Sequence, residues 1–257
     1  MFYINMRLSN SLIVLIIALS SSMFAQVVNV ENKRNYDDTA GVSGGIDASF
    51  TALKTKDLIV NFFLRPRVQY KTQKNYFLLL SDVVYSKGGT NVFSNLGMFH
   101  FRYAYRIKGG LKWENYYQIQ YNQLLSQRSR MLLGSGLRQK CFDKKGYKFF
   151  IGSSVFIERE ESIAAIPIEY GVRSSNYLSW YFDPKSHFFF SGVVYVQPLF
   201  SDFNDIRILG QYALNFKFTK RTDFKIEFSH LFDSNPFIGV VRFTFNSSFG
   251  IRFKFGE

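Results

Sequence analysis

Val240-Val-Arg-Phe-Thr-Phe-Asn-Ser-Ser-Phe-Gly-Ile-Arg-Phe-Lys-Phe255 keeps a single alternation over its whole length. Odd positions are apolar (Val241, Phe243, Phe245, Phe249, Ile251, Phe253 and Phe255), with Ser247 the exception. Even positions carry Arg242, Thr244, Asn246, Ser248, Gly250, Arg252 and Lys254. Successive side chains of a strand point to opposite faces, so this segment has one aromatic face and one basic, polar face. An average soluble strand holds roughly 5–6 residues, whereas a strand tilted across a bilayer needs about 9–11. The segment fits the second case. The expected fold is all-β, an antiparallel up-and-down transmembrane β-barrel; the alternative is the amphipathic last strand of a soluble sandwich.

The end of the stretch carries a second signal. Ser248, Gly250, Phe253 and Phe255 follow the pattern polar-x-Gly-x-x-aromatic-x-aromatic. It resembles the C-terminal signal by which the outer-membrane barrel assembly machinery recognises its clients, and the resemblance implies that machinery as a partner.

Composition agrees. Aromatic residues make up 19% of the chain, with 30 Phe and 16 Tyr, more than a soluble core requires. A mean hydropathy of −0.07 excludes a helical membrane bundle. Strands that face lipid on one side and water on the other produce that mixture. Cys141 is the one cysteine, so no internal disulfide framework is possible. The net charge of +13 invites a nucleic-acid partner. Two features count against it: the basic residues are spread over alternate strand positions and turns, and the N-terminus reads as an export signal.

In chain order, Met1–Ala25 has the layout of a cleaved secretory signal peptide. Arg7 precedes the apolar run Leu12–Leu19, which is too short for a membrane helix of about 20 residues. Residues 26–40 read as a periplasmic lead-in, and 41–257 as the barrel. Twelve strand-like segments follow: 41–53, 58–70, 76–85, 96–107, 111–124, 130–140, 147–158, 169–181, 188–197, 205–218, 222–232 and the final stretch. Ten is the alternative count, because 76–85 and 188–197 are apolar on both faces. Short turns are expected after even strands and longer loops after odd ones, among them 86–95, as in outer-membrane barrels. In 96–107 the basic face must turn inward, since Arg or Lys near the bilayer midplane costs roughly 2–4 kcal/mol.

Several segments resemble the "salt-induced outer membrane protein" family, domain of unknown function 481. They are Val28–Glu31, Gly41–Asp47, His100–Arg106, Trp113–Asn122 and Leu132–Arg138. The resemblance implies an outer-membrane barrel of unsettled activity and supplies no catalytic residues.

The candidate functional set is basic. Arg65, Arg67, Arg102, Arg106, Lys112, Arg138, Lys140, Lys148, Lys217, Lys225, Arg252 and Lys254 are expected to face the lumen, with fewer inward carboxylates, among them Glu114, Glu158 and Asp205. A lumen of that sign favours anions. The expected function is a small passive pore or a solute-binding barrel, with anionic small solutes and outer-membrane lipid as partners. The bland alternative pairs these cations with inward carboxylates in a structural or envelope-stress barrel that does not transport. A lipid-acting enzyme at His230, with Ser234 and Asn235 nearby, is a distant third. Three isolated histidines and one cysteine offer no metal cluster, and no cofactor motif is present.

Overall fold

A computed structural model describes residues 40–54, 56–144, 146–164, 167–184, 188–219 and 222–253. The expected signal peptide, the lead-in up to residue 39, Lys254 and Phe255 lie outside the described residues, as do the side chains of Arg252 and Phe253. Twelve strands form one sheet: β1 (Gly41–Lys54), β2 (Leu58–Lys71), β3 (Asn75–Gly88), β4 (Asn91–Lys108), β5 (Leu111–Asn122), β6 (Gln127–Lys144), β7 (Tyr147–Ser162), β8 (Glu169–Phe182), β9 (Phe188–Pro198), β10 (Ile206–Lys217), β11 (Thr222–Asp233) and β12 (Phe243–Phe253). Their order in the sheet is their order in the chain. Every neighbouring pair is antiparallel, as in β1 against β2 and β11 against β12.

The alternation read from the sequence sets the two faces. On β3, Tyr76, Leu78, Leu80, Asp82 and Val84 are buried, which fixes the orientation that the apolar pattern left open. Asp82 decides it, because its carboxylate accepts from Arg65 Nε at 2.9 Å on the same face. Tyr76, Leu78, Leu80, Met98 and Ala104 cluster there. In β9, likewise open, Val193 is fully buried while Val196 is exposed.

This polar, buried face is concave. Arg207 on β10 reaches Glu160 on β7 at 2.8 Å, past β8 and β9. Strands lie about 4.8 Å apart, so three steps span roughly 14 Å on a flat sheet. Side chains that stand nearly parallel on a flat sheet would not meet; on a rolled one they converge. The convex face carries exposed apolar residues from end to end, including Val42, Phe50, Val68, Phe99, Leu133, Ile151, Val172, Leu178, Phe245 and Phe249.

The loop expected at 86–95 is instead a hairpin with the two-residue turn Gly89–Thr90. Lys87 pairs with Val92 and Gly88 with Asn91, and Gly89 supplies the left-handed φ of 60° that so tight a turn demands. The span reads as a loop because residues 86–91 are all polar or glycine, yet both strands continue through it to the turn. Connections after odd strands are longest at 199–205 and 234–242. After even strands, Gly109–Gly110 is a two-residue turn.

Candidate functional site: the concave face

Glu158 on β7 is the centre of a buried ionic knot. It accepts from Arg130 Nε and Nη2 at 2.9 and 2.7 Å, from Arg173 Nε at 2.6 Å and from Arg207 Nη1 at 3.3 Å. Arg173 Nη1 also donates to Asp205 Oδ1 at 2.8 Å. Arg207 donates to Glu160 and to Asp233, each at 2.8 Å. Three guanidiniums thus face four carboxylates contributed by β6, β7, β8, β10, β11 and the turn before β10. Burying any of these ions alone would cost several kcal/mol, as an order of magnitude, so the cluster holds together only as a set.

A hydrogen-bond chain runs into the knot from the other side. Glu114 takes Arg102 Nη1 at 3.0 Å, and Arg102 Nε donates to His100 Nε2 at 3.3 Å. Because that ring nitrogen accepts, the proton of His100 sits on Nδ1 and goes to Gln118 Oε1 at 2.8 Å. Gln118 then donates to Gln120, Gln120 to Gln127 at 2.8 Å, and Gln127 to Glu160. Every donor in the row points towards Glu160. The alternating strands dictate this geometry, since residues two apart share a face and adjacent strands bring the next pair alongside.

Beside the row lies a cavity of about 150 Å³. Its wall combines Leu96, Met98, Leu132 and Phe156 with Tyr116, Tyr195 and Gln211, and Val240–Arg242 close it from the β12 side. Glycines make room for the rings: a Cβ built on Gly134 would lie 2.3 Å from Tyr116 Cζ, and one on Gly152 2.0 Å from Tyr177 Cε1. Tyr116 is further tied to Ser154 Oγ at 2.9 Å.

Arg252 and Lys254 aside, the basic residues singled out from the sequence fall on this concave face but do not form one group. Arg65 is paired with Asp82, and Arg102 with Glu114. Arg67 stands opposite Gly45 and Leu80. Towards the end bearing the shorter turns, Arg106 lies opposite Lys112, and Lys112 opposite Arg138. The Arg138 guanidinium sits 4.0 Å from the centre of the Phe150 ring. Lys140 pairs with Asp143 and Lys225 with Glu227. Lys148 and Lys217 occupy the same end, opposite Tyr181 and Asp223 in the ladder. By backbone register Arg252 stands opposite Asp223, Gly250 opposite Lys225 and Ser248 opposite Glu227.

Arg130, Arg173 and Arg207, the core of the knot, were not among the residues selected from the sequence. Their parity on the strands was the available signal. His230 packs on the convex face against Tyr212 and Phe243, while the Ser234 hydroxyl donates to the Asn204 carbonyl. Among the described residues, no group of three or more His, Cys, Asp or Glu side chains could hold a metal ion.

Residues 47–255 match the family described as "Protein of unknown function, DUF481", and the chain belongs to that family. A search of curated proteins returned no match. Among solved structures, the NanC porin in its rhombohedral crystal form aligns with a TM-score of 0.47 at 14% identity, over 76% of this chain and 93% of that one. A porin refined at 1.8 Å aligns with a TM-score of 0.39 at 9% identity, over 79% of this chain and 63% of that one.

Proposed function

We propose that the chain is a closed β-barrel of the bacterial outer membrane that passes or binds small solutes, with a preference for anions set by its periplasmic half. The observation that carries this is the two-faced sheet: apolar and exposed on its convex side, polar and ion-paired on its concave side. A rolled sheet of that kind is stable where lipid surrounds it and water fills it.

Closure follows from the same physics. β1 and β12 are the two ends of the described ladder, and an open edge in hydrocarbon leaves backbone groups unsatisfied at several kcal/mol each, as an order of magnitude. Joining β1 to β12 keeps the faces in phase, since Asp47 lies opposite Arg65 and Asn246 opposite Ser229, all on the concave side. On this reading the segment Met1–Ala25 exports the protein, the Ser248, Gly250, Phe253 and Phe255 pattern hands it to the assembly machinery, and outer-membrane lipid surrounds it.

Arg106, Lys112, Arg138, Lys148 and Lys217 make the periplasmic half basic, as charged rings do in selective pores. In the other half the guanidiniums of Arg102, Arg130, Arg173 and Arg207 are matched by carboxylates, so that half repels neither sign strongly. The test is conductance of the refolded full chain in planar bilayers under a salt gradient. A small current with a reversal potential on the anion side is expected; cation preference overturns the reading. That same charge matching favours a second reading, a structural barrel without transport, for which the expected result is no current.

A further inference from the structure

We infer that the cavity beside the glutamine row is a binding site for a neutral, hydroxyl-rich solute the size of one sugar ring. This rests on the reading of the chain as a barrel with an accessible interior and names the solute class. Three independent features agree on it.

The first is charge. Arg102, Arg130 and Arg207 border the cavity, and each already holds a carboxylate at 2.7 to 3.0 Å. At these three an anion would have to displace Glu114, Glu158 or Glu160, and a cation would have to displace an arginine; the further charges at the border, Arg242 and Glu169, are one of each sign. A neutral ligand displaces neither. The second is the donor and acceptor pattern. A carboxamide has two N–H donors and two acceptor lone pairs. In the row, Gln118, Gln120 and Gln127 each spend one donor and one acceptor on the chain towards Glu160. What each retains is one donor beside one acceptor, the complement of a hydroxyl group, which donates and accepts at once. Gln197, lining the cavity from β9, has its Oε1 buried without a partner while its Nε2 donates to Ser175. The third is shape. Tyr116, Tyr177 and Tyr195 line the cavity, and the Tyr177 and Tyr195 rings lie 5.0 Å apart. They offer apolar faces to the C–H side of a saturated ring. About 150 Å³ admits one six-membered ring, not a chain of them.

The test is saturation-transfer NMR on the full chain in detergent micelles, with glucose, glucuronate and glucosamine as ring probes of similar size and different charge. Glucose should receive saturation and the two charged probes should not. Gln120→Leu, on the amide row, and Gln211→Leu, on the facing wall, should each weaken glucose binding by roughly fivefold to tenfold through lost hydrogen bonds. Circular dichroism confirms that each variant folds, and the two walls give independent readings. Saturation of glucuronate above glucose, no saturation of any probe, or unchanged glucose binding in both folded variants overturns the inference. Because this experiment needs no current, its failure is distinct from a failure of the pore reading, which shows as silence in the bilayer.

Discussion

Replacing Glu158 by glutamine removes one charge at the centre of the knot and little volume. The side chain is 4% exposed and takes hydrogen bonds from Arg130, Arg173 and Arg207. A glutamine keeps one oxygen but turns an NH2 group towards guanidinium N–H donors. Arg173 retains Asp205, and Arg207 retains Glu160 and Asp233. Arg130, by contrast, loses a carboxylate that met it with two bonds. Breaking a buried pair on one side costs about 3–5 kcal/mol; with two of three cations still compensated, the lower end applies. A loss of about 3 kcal/mol is a factor of more than 100 in the unfolding equilibrium. Urea unfolding of the folded chain in lipid vesicles, followed by intrinsic fluorescence, measures it. The double variant Glu158→Gln with Arg130→Met should recover a large part of the loss, giving a coupling above about 1.5 kcal/mol in a double-mutant cycle. A loss under about 1 kcal/mol, the size found for exposed pairs, would refute the buried-knot account and mean that water in the interior already screens these charges.

Other outcomes follow from the two faces. Leu133→Arg, on the exposed convex face, should cost roughly 2–4 kcal/mol if that face meets hydrocarbon; in the same unfolding assay a change near zero would remove the lipid. Gly152→Val forces a side chain into the Tyr177 ring and should cost about 1–3 kcal/mol by overpacking, whereas Gly45→Ala, where an added Cβ meets nothing within 4 Å, should be close to neutral by thermal unfolding. Arg106→Glu together with Lys112→Glu, on neighbouring strands in the basic half, should move the reversal potential towards cations and leave the unfolding midpoint within a small shift.

Much of the architecture was legible because a strand has a period of two, which is a property of the backbone and needs no knowledge of the rest of the molecule. The run from Val240 to Phe255 announced two faces, and the same rule placed Arg65, Arg102 and Arg138 on the polar one. It failed where both faces were apolar, in β3 and β9. It also misjudged residues 86–95, where Gly89 closes a tight turn and both strands continue up to it.

Sequence by itself determined which side chains share a face, since alternation is covalent and local. Tertiary structure alone decided which of them meet. Glu158 and Arg207 stand 49 positions apart and three strands from each other in the sheet, and nothing in the spacing of either residue points to the other. Their contact depends on how far the sheet rolls, a sum over the twist and register of every strand between them. That sum assembled a matched knot from Arg130, Arg173 and Arg207, which the sequence had not singled out, and left Arg106, Lys112, Arg138, Lys148 and Lys217, which it had, in a basic zone at the other end.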